Sequence, residues 1–229
     1  MDFVLQGLKR SNDVNLNNVD SVVNSNLNLF YKSKFTSSSM LQSALKYSNL
    51  ECNRLSKKIQ TKQKISAFEV SPIQKVINEY SANLSDLQKE FLNRIDNAMY
   101  LDEELIVIEL NKIEIDAQSK LSEQEALPIL AGIEIGKASI AYWTENLNSW
   151  IQALNANSGM SNVKMQKVAN KFSWNNLFAS DTAGGVGAAV GAAIVNAIPG
   201  AGQIAYGGAI IGGAAGGSAT YAVYEIFAQ

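Results

Sequence analysis

The sequence predicts an all-α protein: a helical bundle that carries a C-terminal Gly/Ala-rich glycine-zipper helical hairpin. Three observations predict it. Apolar residues recur at alternating steps of four and three through the middle of the chain. Helix-capping signals stand where those stretches begin. Twelve of the sixteen glycines crowd into the interval from Gly184 to Gly217.

With 229 residues and 47% of them hydrophobic, the chain can bury a substantial core. Charged residues are only 17%, below the ~25% usual for soluble domains. A net charge of −2 exerts no general pull toward nucleic acid or an acidic surface. Histidine is absent and Cys52 is the only cysteine, which removes intrachain disulfides, zinc clusters and imidazole acid–base catalysis. The GxxxxGK[ST] phosphate loop is missing as well. No enzyme, cofactor, metal or nucleic-acid partner is expected. Met1 to Arg10 lacks the long apolar run of a Sec-type signal, so any export is expected by another route.

Residues 1–35 are rich in asparagine, a weak helix former, and predict an irregular lead-in. The bundle is expected over 36–155. The Thr36-Ser37-Ser38-Ser39 cluster can supply an N-cap, after which Leu41, Leu45, Ser48, Cys52, Leu55 and Ile59 mark one helical stripe. The lysines at 57, 58, 62 and 64 suit the negative end of that helix. Ser71-Pro72 signals a second helix start, and Ile73, Ile77, Tyr80, Leu84, Leu87 and Phe91 repeat the stripe. Together these predict an antiparallel hairpin over 39–100. A helix is expected over 101–120, where Leu101, Leu105, Ile108 and Ile115 share a face. Its carboxylates are spread around the helix and fit a solvated surface. Ser122 with Glu125 makes a capping box for a helix over 123–154 that bends at Pro128. Gly132, Gly136 and Ser139 offer a small patch for close helix approach, followed by Tyr142, Trp143 and Trp150 as core aromatics. Asn155-Ala156-Asn157-Ser158-Gly159 is the linker candidate. A basic amphipathic helix is expected over 160–178, with Lys164, Lys167 and Lys171 on one face and Met165, Val168 and Phe172 on another.

The hairpin is assigned to 180–229. No charged residue occurs in the 43 positions from Thr182 through Tyr224. As helix that is roughly 64 Å, enough for two passes of a ~30 Å bilayer core. Pro199, Gly200 and Gly202 form the turn between segments of about 182–198 and 203–227. Gly187 with Gly191, Gly208 with Gly212 and Gly216, and Gly213 with Gly217 repeat at steps of four, so each set shares a face where two backbones can meet. In water each glycine costs about 1 kcal/mol of helix stability against alanine, so a partner helix or lipid must compensate. Trp174 and Phe178 before the first segment, with Tyr221, Tyr224 and Phe227 at the end of the second, fall at one level of a hairpin, as an interfacial aromatic belt would.

The runs Asp181-Thr182-Ala183-Gly184-Gly185-Val186-Gly187, Ile198-Pro199-Gly200-Ala201-Gly202 and Gly207-Gly208-Ala209-Ile210-Ile211-Gly212-Gly213 resemble glycine-zipper tails of bacteriocin-like peptides and of uncharacterised bacterial proteins. The segment Gly136-Lys137-Ala138-Ser139-Ile140-Ala141-Tyr142-Trp143 is similar to one in such uncharacterised proteins. The resemblance implies a bacterial protein, cytoplasmic, membrane-associated or secreted without the Sec route. It further implies GxxxG helices that associate and permeabilise a target membrane. The leading expectation is therefore a membrane-active protein, with a lipid bilayer and self-association through the glycine faces as its partners. The alternative is an all-helical interaction or assembly module with the hairpin docked on the bundle or on a partner.

Overall fold

The computed structural model describes residues 1–11, 14, 18–60, 70–158, 172–195 and 201–228. Side chains are described in these ranges except at 19–20, 54–60, 157–158, 194–195, 201–206 and 227–228. The described residues form nine helices and no strand: α1 (Asp2–Arg10), α2 (Val19–Lys34), α3 (Ser38–Gln60), α4 (Pro72–Glu79), α5 (Asp86–Ala98), α6 (Glu103–Lys120), α7 (Glu123–Ser158), α8 (Trp174–Val195) and α9 (Ala201–Ala228). The fold is all-α.

Within its described residues the asparagine-rich lead-in forms two helices rather than an irregular segment. Val4, Leu5 and Leu8 on α1 and Val23, Leu27 and Tyr31 on α2 are buried at helical spacing. Tertiary burial of these faces outweighs the weak propensity of the asparagines between them.

The antiparallel hairpin expected over 39–100 is replaced by three helices with other partners. α3 lies along α9 and against α2, whereas α4 packs on α8 and α5. The apolar stripe through Tyr80 and Leu84 is interrupted because Ser85 starts a new helix. Its hydroxyl accepts from the Gln88 amide, and the Gln88 side chain accepts from the Ser85 amide. The expected cap at Ser71 is present, with the hydroxyl accepting from the Gln74 amide at 2.9 Å and Pro72 opening the helix.

α6 turns the opposite way from the sequence expectation. Its buried residues are Ile106, Leu110, Ile113 and Ala117. Leu101, Leu105, Ile108 and Ile115, which share a face on paper, face solvent at 40%, 47%, 51% and 68% exposure. The helix thus has two apolar faces, and spacing alone does not say which one the core takes. Arg94 on α5 pairs with Asp116 at 2.8 Å, and Lys137 on α7 with Glu114 at 2.5 Å, which fixes the orientation of α6.

α7 begins at the Ser122–Glu125 capping box and holds Pro128 inside. It continues through Ser158, so 155–158 is helix and not linker. α8 likewise begins at Trp174, so 174–178 belongs to the glycine-rich helix and not to a separate amphipathic one. The polar residues at its start are held internally, as where the Asn175 amide donates to the Met99 carbonyl at 2.8 Å.

α8 and α9 form an antiparallel pair at the centre, and one hydrophobic cluster runs from Val4 on α1 to Ile226 on α9. Every described side chain of α8 from Asn176 to Ala192 is buried, as is every one of α9 from Gly216 to Ile226. The two faces of α6 give the first test. Leu110→Ala is expected to lower unfolding free energy by about 2–5 kcal/mol, and Ile115→Ala by no more than about 0.5 kcal/mol. Urea denaturation measures both, and equal losses would contradict the observed orientation.

Candidate functional site

The glycines singled out by spacing serve three different contacts. Gly208, Gly212 and Gly216 face α3. A Cβ on Gly208 or Gly212 would overlap the carbonyl oxygen of Met40 or Ala44, and one on Gly216 would lie 2.8 Å from the Ser48 Cα. One turn further, the Cys52 thiol meets the Thr220 hydroxyl at 3.0 Å. Each step of four on α9 is matched by four on α3, so the two helices run parallel in a constant register. Gly213 and Gly217 lie on the neighbouring face of α9, about 100° around the helix, and meet α8. A Cβ on Gly184 would sit 2.5 Å from the Gly213 carbonyl oxygen, and one on Gly217 would sit 3.1 Å from that of Ser180. Gly184 was not among the residues expected at the contact.

Gly187 and Gly191 face neither of these. A Cβ on Gly187 would find only ordinary contact with Val76 at 3.4 Å, while one on Gly191 would lie 3.0 Å from the Tyr47 hydroxyl and 3.2 Å from that of Tyr80. Gly132 and Gly136 receive α8 as a small patch should: their missing side chains leave room for Val186 and Thr182.

The aromatics assigned to a membrane interface lie together at one end of the α8–α9 pair, but inside the bundle. Phe178, Tyr221 and Tyr224 are buried and Trp174 is half-buried. The backbone at Phe227 is helical, and its side chain lies outside the described residues. Lys164, Lys167, Lys171, Pro199 and Gly200 lie outside the described residues too. Gly202 falls in the first turn of α9 and not in the connection before it.

A polar cluster at the same end was not anticipated. Asp181, 2% exposed, receives three donors on its Oδ2: the hydroxyls of Ser139 at 2.5 Å and Ser218 at 2.6 Å, and the indole N–H of Trp143 at 3.1 Å. These link α7, α8 and α9. The same indole N–H is shared with the Ser218 Oγ at 2.9 Å. The Asp181 Oδ1 has no hydrogen-bond partner among the described residues. Burial pushes this carboxyl up to about 7, against the pull of the three donors. Glu225, also buried, lies beside Tyr221, whose phenol is raised well above its ordinary range by burial and then by that carboxylate. In sequence Asp181 only marks the edge of an uncharged run. Nothing in its spacing from Ser139 or Ser218 brings them together. Sealed from solvent, the cluster can hold and release a proton but cannot meet a substrate.

An open cleft of about 390 Å³ lies between α3, α4 and α8, with Tyr47, Glu51, Glu79 and Tyr80 in its wall and Gly187 on its floor. The Tyr80 phenol is pushed up to about 12, by burial first and then by its neighbours Glu79, Tyr47 and Glu51. Among the described residues no group of three or more Cys, Asp or Glu side chains is arranged to hold a metal ion. No helix among them is long and apolar enough to cross a membrane. Comparison of the chain with known protein families, curated proteins and solved structures finds no match.

Two predictions follow from this geometry. Gly212→Ala drives a methyl into the α3 backbone and is expected to destabilise by more than about 2 kcal/mol. Gly207→Ala meets only the Met40 Cε at 3.5 Å, and is expected to be neutral or stabilising by up to about 1 kcal/mol. Thermal melts compare the pair. For Asp181, the folded value of about 7 stands above the ordinary 3.8, so between them the native state binds more protons than the unfolded one. Stability from this group therefore falls as pH rises through that window, with a slope approaching about 1.4 kcal/mol per pH unit. Asp181→Asn should remove that component from the difference between wild-type and variant denaturation curves. An unchanged slope in the variant would refute the assignment.

Proposed function

We propose that this chain is a soluble all-helical interaction or assembly module whose glycine-zipper hairpin is docked on its own bundle. One observation carries the reading: the Gly208–Gly212–Gly216 face is filled, turn by turn, by the backbone of α3. A face used for self-association in a bilayer has to be open to another hairpin. Here it is spent on an internal contact, and the neighbouring Gly213–Gly217 face is spent on α8. The buried carboxyl of Asp181 supports the same reading, because two of its three donors, Ser139 and Trp143, come from α7 and would be lost if the hairpin left the bundle.

A second reading, a membrane-active and bacteriocin-like protein, is favoured by the 43 uncharged residues from Thr182 through Tyr224. In that reading the bundle is the sheath of a hairpin that inserts after release. The hairpin's core then has to exchange the α3 contact for lipid.

Flotation of the purified chain with phosphatidylglycerol vesicles separates the two readings. The module is expected to remain in the dense fraction, with backbone amides of residues 184–217 protected from hydrogen exchange to the same extent with and without vesicles. Protein that floats and releases vesicle contents, with release lost in Gly212→Leu while that variant still melts cooperatively, would establish the membrane reading instead.

A further inference from the structure

We propose that the cleft between α3, α4 and α8 binds a primary alkylammonium group, held by the carboxylate of Glu79 and the phenol of Tyr80 above a glycine floor. The inference goes beyond the assembly reading and shares with it only the docked hairpin, because α8 supplies the floor.

The cleft accounts for two glycines that the helix contacts leave unexplained. Gly187 and Gly191 repeat at a step of four on α8, yet neither meets the backbone of α3 or α9. Gly187 lies instead in the floor of the cleft, where a Cβ would stand 3.9 Å from the Tyr80 ring. One turn further, the hydroxyls of Tyr47 and Tyr80 converge over Gly191, at 3.0 and 3.2 Å from the place of its Cβ. The stripe without side chains here borders an opening and not a second helix. At about 390 Å³ the opening is large enough for a small ligand.

The lining chooses the ligand. Glu51 on α3 and Glu79 on α4 stand in the walls, and no lysine or arginine does. After burial, these two carboxylates and Tyr47 hold the Tyr80 phenol above its ordinary range, so the field at that hydroxyl is negative and repels an anion. A bare metal ion wants several oxygen ligands in one place, and no group of three or more acidic side chains is so arranged among the described residues. The rest of the wall is apolar, from Leu50, Val76 and Ala188, and suits a methylene chain better than a hydrated ion. An ammonium group brings three donors, for which the Glu79 carboxylate and the phenol oxygens are acceptors. The Tyr80 ring adds a face for the cation. Lys46 is not in the wall, but its ammonium lies 5.2 Å from the Tyr47 ring centroid. One face of that ring is thereby taken, and Tyr80 is the ring left for a ligand. Glu79 is exposed and forms no ion pair among the described residues.

Chemical-shift titration of the full chain with hexylammonium tests this. Amides of Val76, Tyr80, Gly187 and Ala188 should shift together and saturate with a Kd of about 1 mM. Glu79→Gln should weaken binding about fivefold. Glu90→Gln, which removes the same charge from an exposed position on α5, should leave it unchanged. Hexanol, with the same chain and no charge, should bind about tenfold more weakly or not at all. N-acetyl-lysine methylamide separates two sources of the group. Matching shifts at those amides assign the cleft to a lysine side chain of a partner protein, and shifts from hexylammonium alone assign it to a free amine. The absence of saturable shifts at the cleft with either amine overturns the proposal. So does hexanol binding as tightly as hexylammonium, or a Glu79→Gln variant that loses no more affinity than Glu90→Gln. Protected hairpin amides with no shift at the cleft would sink the ligand site alone and leave the docked-hairpin reading, which flotation reports, standing.

Discussion

Where α3 lies along the Gly208–Gly212–Gly216 face of α9, two helix backbones meet with no side chain between them, and the arrangement of the other helices follows from that approach. Seven glycines in α9 would leave that helix unstable in water by itself, at about 1 kcal/mol each against alanine. The loss is offset only if the space they leave is filled by something as close as another backbone. α3 can fill it because the residues it presents are small or bend away: Ala44 and Ser48 at the contact, with Met40 and Cys52 at either end. The match of four residues against four keeps the two helices in register over several turns. A larger residue on either side would push the helices apart and open voids along the whole line.

From this contact the core grows in two directions. The second glycine stripe of α9 brings in α8 on the adjoining face, and α8 in turn receives α7 over Gly132 and Gly136. The three helices α7, α8 and α9 then close around Asp181. A buried carboxyl is costly unless its charge is removed or its oxygens are met by donors. This one is met on one oxygen and, among the described residues, has no partner on the other; burial raises its proton affinity in spite of three hydrogen bonds. Acid therefore tightens this end of the bundle. Any process that opens the hairpin by acidification would have to act through other groups.

The functional reading follows from what is used up and what is left over. The glycine faces, which look in isolation like surfaces for membrane assembly, are consumed inside the chain. Of the aromatics that resemble an interfacial belt, Phe178, Tyr221 and Tyr224 are buried in the interior. Left over are an open cleft walled by Tyr47, Tyr80 and two glutamates, and the outer stripe of α6. An all-helical module that meets partners at its surface is consistent with both the closed interior and the open cleft.

The sequence by itself determined the helical class, the caps at Ser71 and Ser122, the helices over the α6 and α7 segments, the small patch at Gly132 and Gly136, and the need of the glycine faces for a close neighbour. These are local matters: periodicity, capping chemistry and missing side chains act within a few turns of one helix. Only the tertiary structure decided which neighbour that was. The matching stripes of 41–59 and 73–91 suggested that the two segments pair with each other, but α3 fits the side-chain-free face of α9, 168 residues away along the chain at each matched position. Only the tertiary structure chose between the two apolar faces of α6, placed α1 and α2 of the asparagine-rich start as helices against the core, and brought Ser139, Asp181 and Ser218 together. Spacing records which residues share a face, whereas the choice of partner depends on shape and buried charge between segments far apart, and no single helix carries that information.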